Sequence, residues 1–231
     1  MLSLDTFSCT LFNLLFKGSF GDVVYNPNQT DEKTLPRSLK DFLSPVYANG
    51  KIALTYPNDD DAILYLFSCI TQKYGWDFIH SLVRQNVTWV RGSATSAMII
   101  DKAYKSSIPG PTISFATIGA FTPGMKDAVI DDVYMAWPQT GAIFSTTKSP
   151  ETAKLFLSYL MDDDWQKVFS GSGFATRKSY DKRGVFEQQP NMDGRGYVKF
   201  ANNRELVESW RLEFETLLGL PQGVNPNYID F

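Results

Sequence analysis

Strand-like and helix-like stretches alternate along this chain, and that alternation narrows its folding options more than any other feature. Residues 51–56 (KIALTY) read as a buried strand and 57–61 (PNDDD) as a polar turn. Ala62, Ile63, Leu66, Phe67, Ile70 and Tyr74 then recur at helical spacing up to Gly75, a natural helix stop. The same order repeats at once: 87–90 is strand-like, 91–95 (RGSAT) is a polar turn, and 96–104 predicts a helix. Such alternation favours an α/β layer architecture over an all-α or all-β fold.

The remaining segments continue the pattern. Residues 22–25 (DVVY) predict a short strand closed by Asn26-Pro27-Asn28, and 38–43 a short helix ended by Pro45. A helix is expected over 76–85, and Pro109-Gly110-Pro111 breaks the chain before a strand at 113–118. Two more strands, 133–137 and 142–145, are separated by 138–141 (PQTG). Ser149-Pro150-Glu151 supplies an N-cap, a proline at the first helical position and a first-turn acid, so helices are expected over 151–161 and 164–169, closed by 171–173 (GSG). Residues 180–196 read as a loop, and 203–218 as a long amphipathic helix ended by Gly219 and Pro221.

Composition excludes several function classes. With 43% hydrophobic residues, including 17 Phe, 11 Tyr and 5 Trp, the 231 residues can bury a core in one domain or two small lobes. A net charge of -3 and no basic stripe argue against nucleic acid as a partner. No run reaches the roughly 20 apolar residues needed to span a bilayer. Residues 1–16 are partly apolar but carry Asp5 where a secretory leader wants positive charge, and they lack a small-residue cleavage site; they read as a poor signal peptide or an altered start. Cys9 and Cys69 define neither a disulfide framework nor a metal pattern, and Cys69 fits a small buried thiol. Asn28 and Asn86 open N-x-[ST] sequons. His80 is the single histidine, on a helix and without a G-x-S-x-G partner, so no catalytic residue, no metal site and no cofactor is expected. Gly171-Ser172-Gly173 lacks the lysine of a phosphate-binding loop.

Several blocks, in order, resemble the extracellular solute-binding proteins of ABC importers, in their iron(III)-binding-like branch and closest to its fungal members. They are GDVVYN (21–26), GKIALTYPNDDDAILYLF (50–67), YGWDFI (74–79), QNVTWVRGSAT (85–95), YMAWPQTGAIFSTTKSPETAKLFLSYLMDDDWQ (134–166) and GSGFATRKSYD (171–181). The resemblance covers roughly residues 20–231. It implies a periplasmic-binding-protein-like type II fold with a complete second lobe and a partial first lobe, because only about twenty residues precede Gly21 where the family has a long N-terminal stretch. The expected division is an atypical segment at 1–19, a second lobe with the first crossover at 20–140, and the return crossover with C-terminal helices of the first lobe at 141–231. The resemblance further implies non-catalytic binding of a small solute between lobes, a membrane permease as partner, a monomer, and an extracellular or secreted location. The iron branch uses adjacent tyrosines as ligands; no Tyr-Tyr pair occurs here, and Tyr180 and Tyr197 are isolated.

Candidate contacts fall on the two strand-to-helix turns. Asn58, Asp59 and Asp60 stand where helix N–H groups meet a cleft, and the three successive aspartates 59–61 argue for a cation or amine. The alternative gives Asn58 or Asp59 to helix capping. Arg91 offers a donor fork, Gly92 a close backbone approach, and Ser93 and Thr95 hydroxyls. Opposite charges on the two turns suit a polar or zwitterionic solute. Tyr134 and Trp137 flank the return crossover, where aromatics stack on a ligand or pack between lobes. Two rivals stand beside this reading: a truncated remnant or interaction protein without ligand, and a hydrolase using Asp59–Asp61 with a metal.

Overall fold

The computed structural model describes residues 9–118, 122–170, 175–181 and 195–226. The chain forms two compact units: Met1–Gly18 with Ala136–Pro190, and Ser19–Met135 with Asn191–Phe231. This differs from the expected division, because residues 191–231 join the unit built by 19–135 instead of continuing with 141–190. The passages at Gly18–Ser19 and Met135–Ala136 fall inside strands β1 (Cys9–Phe20) and β7 (Met135–Phe144), which pair with each other.

The larger unit holds the repeated strand–turn–helix pattern. Strands β3 (Ala53–Thr55) and β4 (Thr88–Val90) pair in parallel, with Thr55 opposite Val90. Strand β2 (Val23–Tyr25) lies antiparallel to both β5 (Ile113–Ser114) and β6 (Lys126–Ala128). A single parallel bridge, Ile52 to Ile113, links the two groups. Helix α1 (Asp61–Tyr74) begins where Asp60 accepts from the N–H groups of Ala62 and Ile63 (2.8 and 3.0 Å) and stops at Gly75. Its apolar positions Ile63, Leu66, Phe67 and Ile70 are fully buried, as the spacing predicts. Helices α2 (Trp76–Val83) and α3 (Thr95–Lys105) follow, and α6 (Gly196–Asn202) and α7 (Arg204–Leu218) pack against α1. Phe42, Phe67, Phe115 and Phe214 join these elements in one aromatic core: Phe42 meets Phe115 edge-on at 4.9 Å, and Phe67 meets Phe214 edge-on at 5.6 Å.

Asp132 is 1% exposed, and its carboxylate accepts from the Leu39 N–H (2.6 Å), the Tyr74 hydroxyl (2.6 Å), Lys73 Nζ (2.7 Å) and its neighbour Val133 N–H (2.7 Å). It ties the 3-10 helix Leu39–Leu43 to the end of α1 and to the approach to β7.

The smaller unit combines its share of β1 and β7 with α4 (Pro150–Leu160) and α5 (Asp163–Ser170). Ile143, Leu157 and Leu160 form its core, with Ala153 and Trp165 against them. Gln166 is fully buried; its Nε2 donates to the Leu160 carbonyl (3.0 Å), and its Oε1 accepts from the N–H groups of Thr176 and Arg177 (3.0 and 3.1 Å). That one amide fastens residues 176–177 to the helix pair.

Several expectations change. Residues 9–20 form a strand that the sequence did not announce. The two strands expected at 133–137 and 142–145 are one, running through Pro138; a two-stranded sheet leaves each strand an open edge, where proline is tolerated. The strand expected over 113–118 pairs only at 113–114, after which Ser114 Oγ accepts from the Ala116 N–H (3.3 Å) and the chain leaves the ladder. Helix α6 begins inside the stretch read as a loop, and β6 was not foreseen. The expected stop at 171–173 and most of the 180–196 loop lie outside the described residues.

Candidate functional site

Parallel pairing brings the turns after β3 and β4 side by side. The Tyr56 N–H donates to the Val90 carbonyl (2.9 Å), extending the pair to the point where both strands end. There Asp59 closes the arrangement: Oδ1 accepts from Arg91 Nε (2.9 Å) and Oδ2 from the Gly92 N–H (3.1 Å). Thr55, fully buried, donates its hydroxyl to the Gly92 carbonyl (3.1 Å). Two turns more than thirty residues apart in sequence therefore form one site.

The three acids divide their work. Asp60 caps α1, so capping falls to it and not to Asn58 or Asp59. Asp61 is paired with Arg204 (2.6 Å) and with Arg211. Asp59 is spent on Arg91 and Gly92. Among the described residues no three His, Cys, Asp or Glu side chains gather as a metal site. Asn58, 5% exposed, donates Nδ2 to the Gly219 carbonyl (2.9 Å), while Arg211 Nη1 donates to the Asn58 carbonyl (2.8 Å). Asn58 Oδ1 is buried without a hydrogen-bond partner among the described residues.

Gly92 has φ +84°, and a Cβ there would stand 2.6 Å from Pro226 Cβ and 2.9 Å from Thr95 Oγ1. The space expected to admit a ligand to this backbone is thus taken by Pro226 and Thr95. The Ser93 carbonyl accepts from the Ile118 N–H (2.8 Å) and from Thr117 Oγ1 (2.9 Å), and Thr117 Oγ1 in turn accepts from the Ala97 N–H (3.3 Å) in the first turn of α3. Thr117 is a site residue that sequence reading missed, because it lay within an expected strand. Tyr134 is 5% exposed and packs at Gly21, beside the start of β7; Trp137 is half-buried within β7, in the other unit. His80 is exposed on α2.

Arg91 uses only its Nε in this network, leaving the four Nη hydrogens without a partner among the described residues. Its side chain remains 32% exposed. Arg91 and Thr95 also line a cavity of about 620 Å³ that follows α3 past Met98, Ile99 and Lys102 and is bounded by Pro123 and residues 222–224. Asp59 thus acts as a clamp that fixes one edge of the guanidinium and leaves the other available. Burial pushes the Tyr197 phenol up, and Asp60 and Asp61 add to the rise.

The model of the bacterial extracellular solute-binding protein family matches residues 18–200, well over half of the chain. No curated protein sequence matches it. Among solved structures, the substrate-binding protein of an ABC transporter from Agrobacterium tumefaciens superposes with a TM-score of 0.60 at 13% identity, covering 88% of this chain and 67% of that one. A periplasmic thiamin-binding protein gives 0.58 at 17% identity, covering 89% and 65%. Iron-bound HitA from Pseudomonas aeruginosa gives 0.57 at 15%, covering 86% and 69%. The chain thus spans about two thirds of the length of these structures, and their likeness shows a shared periplasmic-binding-protein type II fold. The chain belongs to the bacterial extracellular solute-binding protein family.

Proposed function

We propose that this member of the solute-binding family holds a small polar or zwitterionic solute at the joined turns 57–61 and 91–95, without chemistry, outside the cell and in partnership with a membrane permease. One observation carries the reading: Asp59 accepts from both Arg91 and Gly92, so the two turns form a single polar site with a pre-oriented guanidinium. A fixed donor fork is suited to an acidic or carbonyl-rich end of a ligand. Pre-orientation by Asp59 lowers the ordering cost that such a contact otherwise carries. Asp59 holds these donors in place, and the leading ligand-facing role falls to Arg91.

The test is thermal stabilisation by a panel of amino acids, small carboxylates and polyamines. A ligand at a hundredfold excess over its Kd stabilises the folded state by about 2.7 kcal/mol. Arg91→Ala is expected to abolish most of that gain; equal shifts in both proteins would exclude Arg91 from the site. A second reading, an interaction protein that takes no solute, draws on α4, where Leu155, Phe156 and Tyr159 are exposed. Size-exclusion chromatography separates the two: a monomer stabilised by ligand supports the first, and a ligand-blind oligomer supports the second.

A further inference from the structure

We infer that the cavity along α3 takes a small amphipathic acid: an anionic head at Lys102 and an aromatic or aliphatic body against Trp89, Met98, Ile99 and Val224. The assignment rests on the reading that this unit binds a solute, and it adds the ligand's chemical class and a second anchor. Charge accounting around the cavity selects the head group. Three cations and one acid line it, and Asp101 is already paired with Lys105 at 2.7 Å. Arg91 is paired with Asp59. Lys102 has no acidic partner among the described residues, so the cavity carries one uncompensated positive charge beside the unused edge of Arg91. A cationic ligand would be repelled by that charge, and a neutral one would gain nothing from it.

The walls select the body. Trp89 is held by Tyr56 and Phe67, each at 5.9 Å between ring centroids, so its indole is preformed as a wall. Met98 and Ile99 are half-buried on successive positions of α3, and Val224 is 64% exposed on the segment that bounds the opposite side. A volume of about 620 Å³ lies within the range of cavities that hold small organic ligands. A simple inorganic anion would satisfy Lys102 and leave the apolar walls wet; an amphipathic acid satisfies both.

Calorimetry with naphthylacetate, naphthylacetamide and naphthylethylamine tests the assignment at low and moderate salt. The acid is expected to bind the wild type about tenfold tighter than the amide, the factor a charge-assisted hydrogen bond contributes, and the amine weakest of all. Lys102→Glu, an exposed position, is expected to erase that tenfold advantage, and Lys102→Arg to keep it. Equal binding of acid and amide, an acid affinity unchanged in Lys102→Glu, or no binding of the acid would each overturn the assignment. Arg91→Ala separates it from the reading it builds on: a solute lost in Arg91→Ala but indifferent to Lys102→Glu keeps the turn site and removes the amphipathic acid.

Discussion

Asp132 offers the sharpest test of how the larger unit is held together. Four donors converge on a carboxylate that is 1% exposed. Asp132→Asn keeps the shape but replaces one acceptor oxygen with an NH₂ group facing donors. Lys73 is 44% exposed on its side chain and can turn to water, but the Leu39 N–H is buried with its residue and has no such recourse. Leaving one buried donor unsatisfied and removing charge from the others costs about 3–5 kcal/mol, a large share of the 5–15 kcal/mol typical of a folded domain. Urea unfolding monitored by tryptophan fluorescence reads the difference, provided both proteins unfold with the same slope. The pH dependence adds a second leg. Burial raises the Asp132 carboxyl, but hydrogen bonds from Lys73, Tyr74 and the backbone N–H groups of Leu39 and Val133 outweigh it and hold the pKa below the usual carboxylate value. Its contribution is therefore complete above about pH 5 and is lost as pH falls from the ordinary Asp value near 3.9 through the lower folded value. The wild-type advantage over Asp132→Asn should shrink across that acid range and stay level from about pH 5 to pH 8. Equal urea midpoints at pH 7, or an advantage that grows on acidification, would refute the role given to these hydrogen bonds.

Two further predictions concern packing. Gly21→Ala places a Cβ 2.5 Å from the Val133 carbonyl oxygen and 2.9 Å from Tyr134 Cα, at φ +113°, and should destabilise by roughly 2–4 kcal/mol in the same assay; a loss below about 0.5 kcal/mol would contradict this close approach. Phe214→Ala removes a fully buried ring that contacts Phe67, Trp76 and Trp210, and should cost about 3–5 kcal/mol together with a change in tryptophan emission.

Elements whose reasons are local were legible in the sequence. The apolar period of α1 and its glycine stop lie within fifteen residues, and α7 with Gly219 after it is equally local. Elements whose reasons are distant were not. Strand β6 is Lys-Asp-Ala, a strand only because β2 offers it an edge. Strands β1 and β7 pair across more than a hundred residues, so residues 9–20 alone gave no sign of a partner. The site divides in the same way. Both polar turns could be read, since each precedes a helix, but which aspartate caps and which clamps Arg91 depends on the parallel pairing of β3 with β4. Nothing near Asn58 in sequence announces that its amide reaches Gly219, 161 residues later.

The double acceptance by Asp59 has a consequence for how this site tolerates sequence change. Exchanging the two charges (Asp59→Arg with Arg91→Asp) would preserve an ion pair on paper, yet arginine cannot accept the proton of the Gly92 amide. The pair is therefore directional, and drift at either position is confined to residues that keep the acceptor on the first turn and the donor on the second.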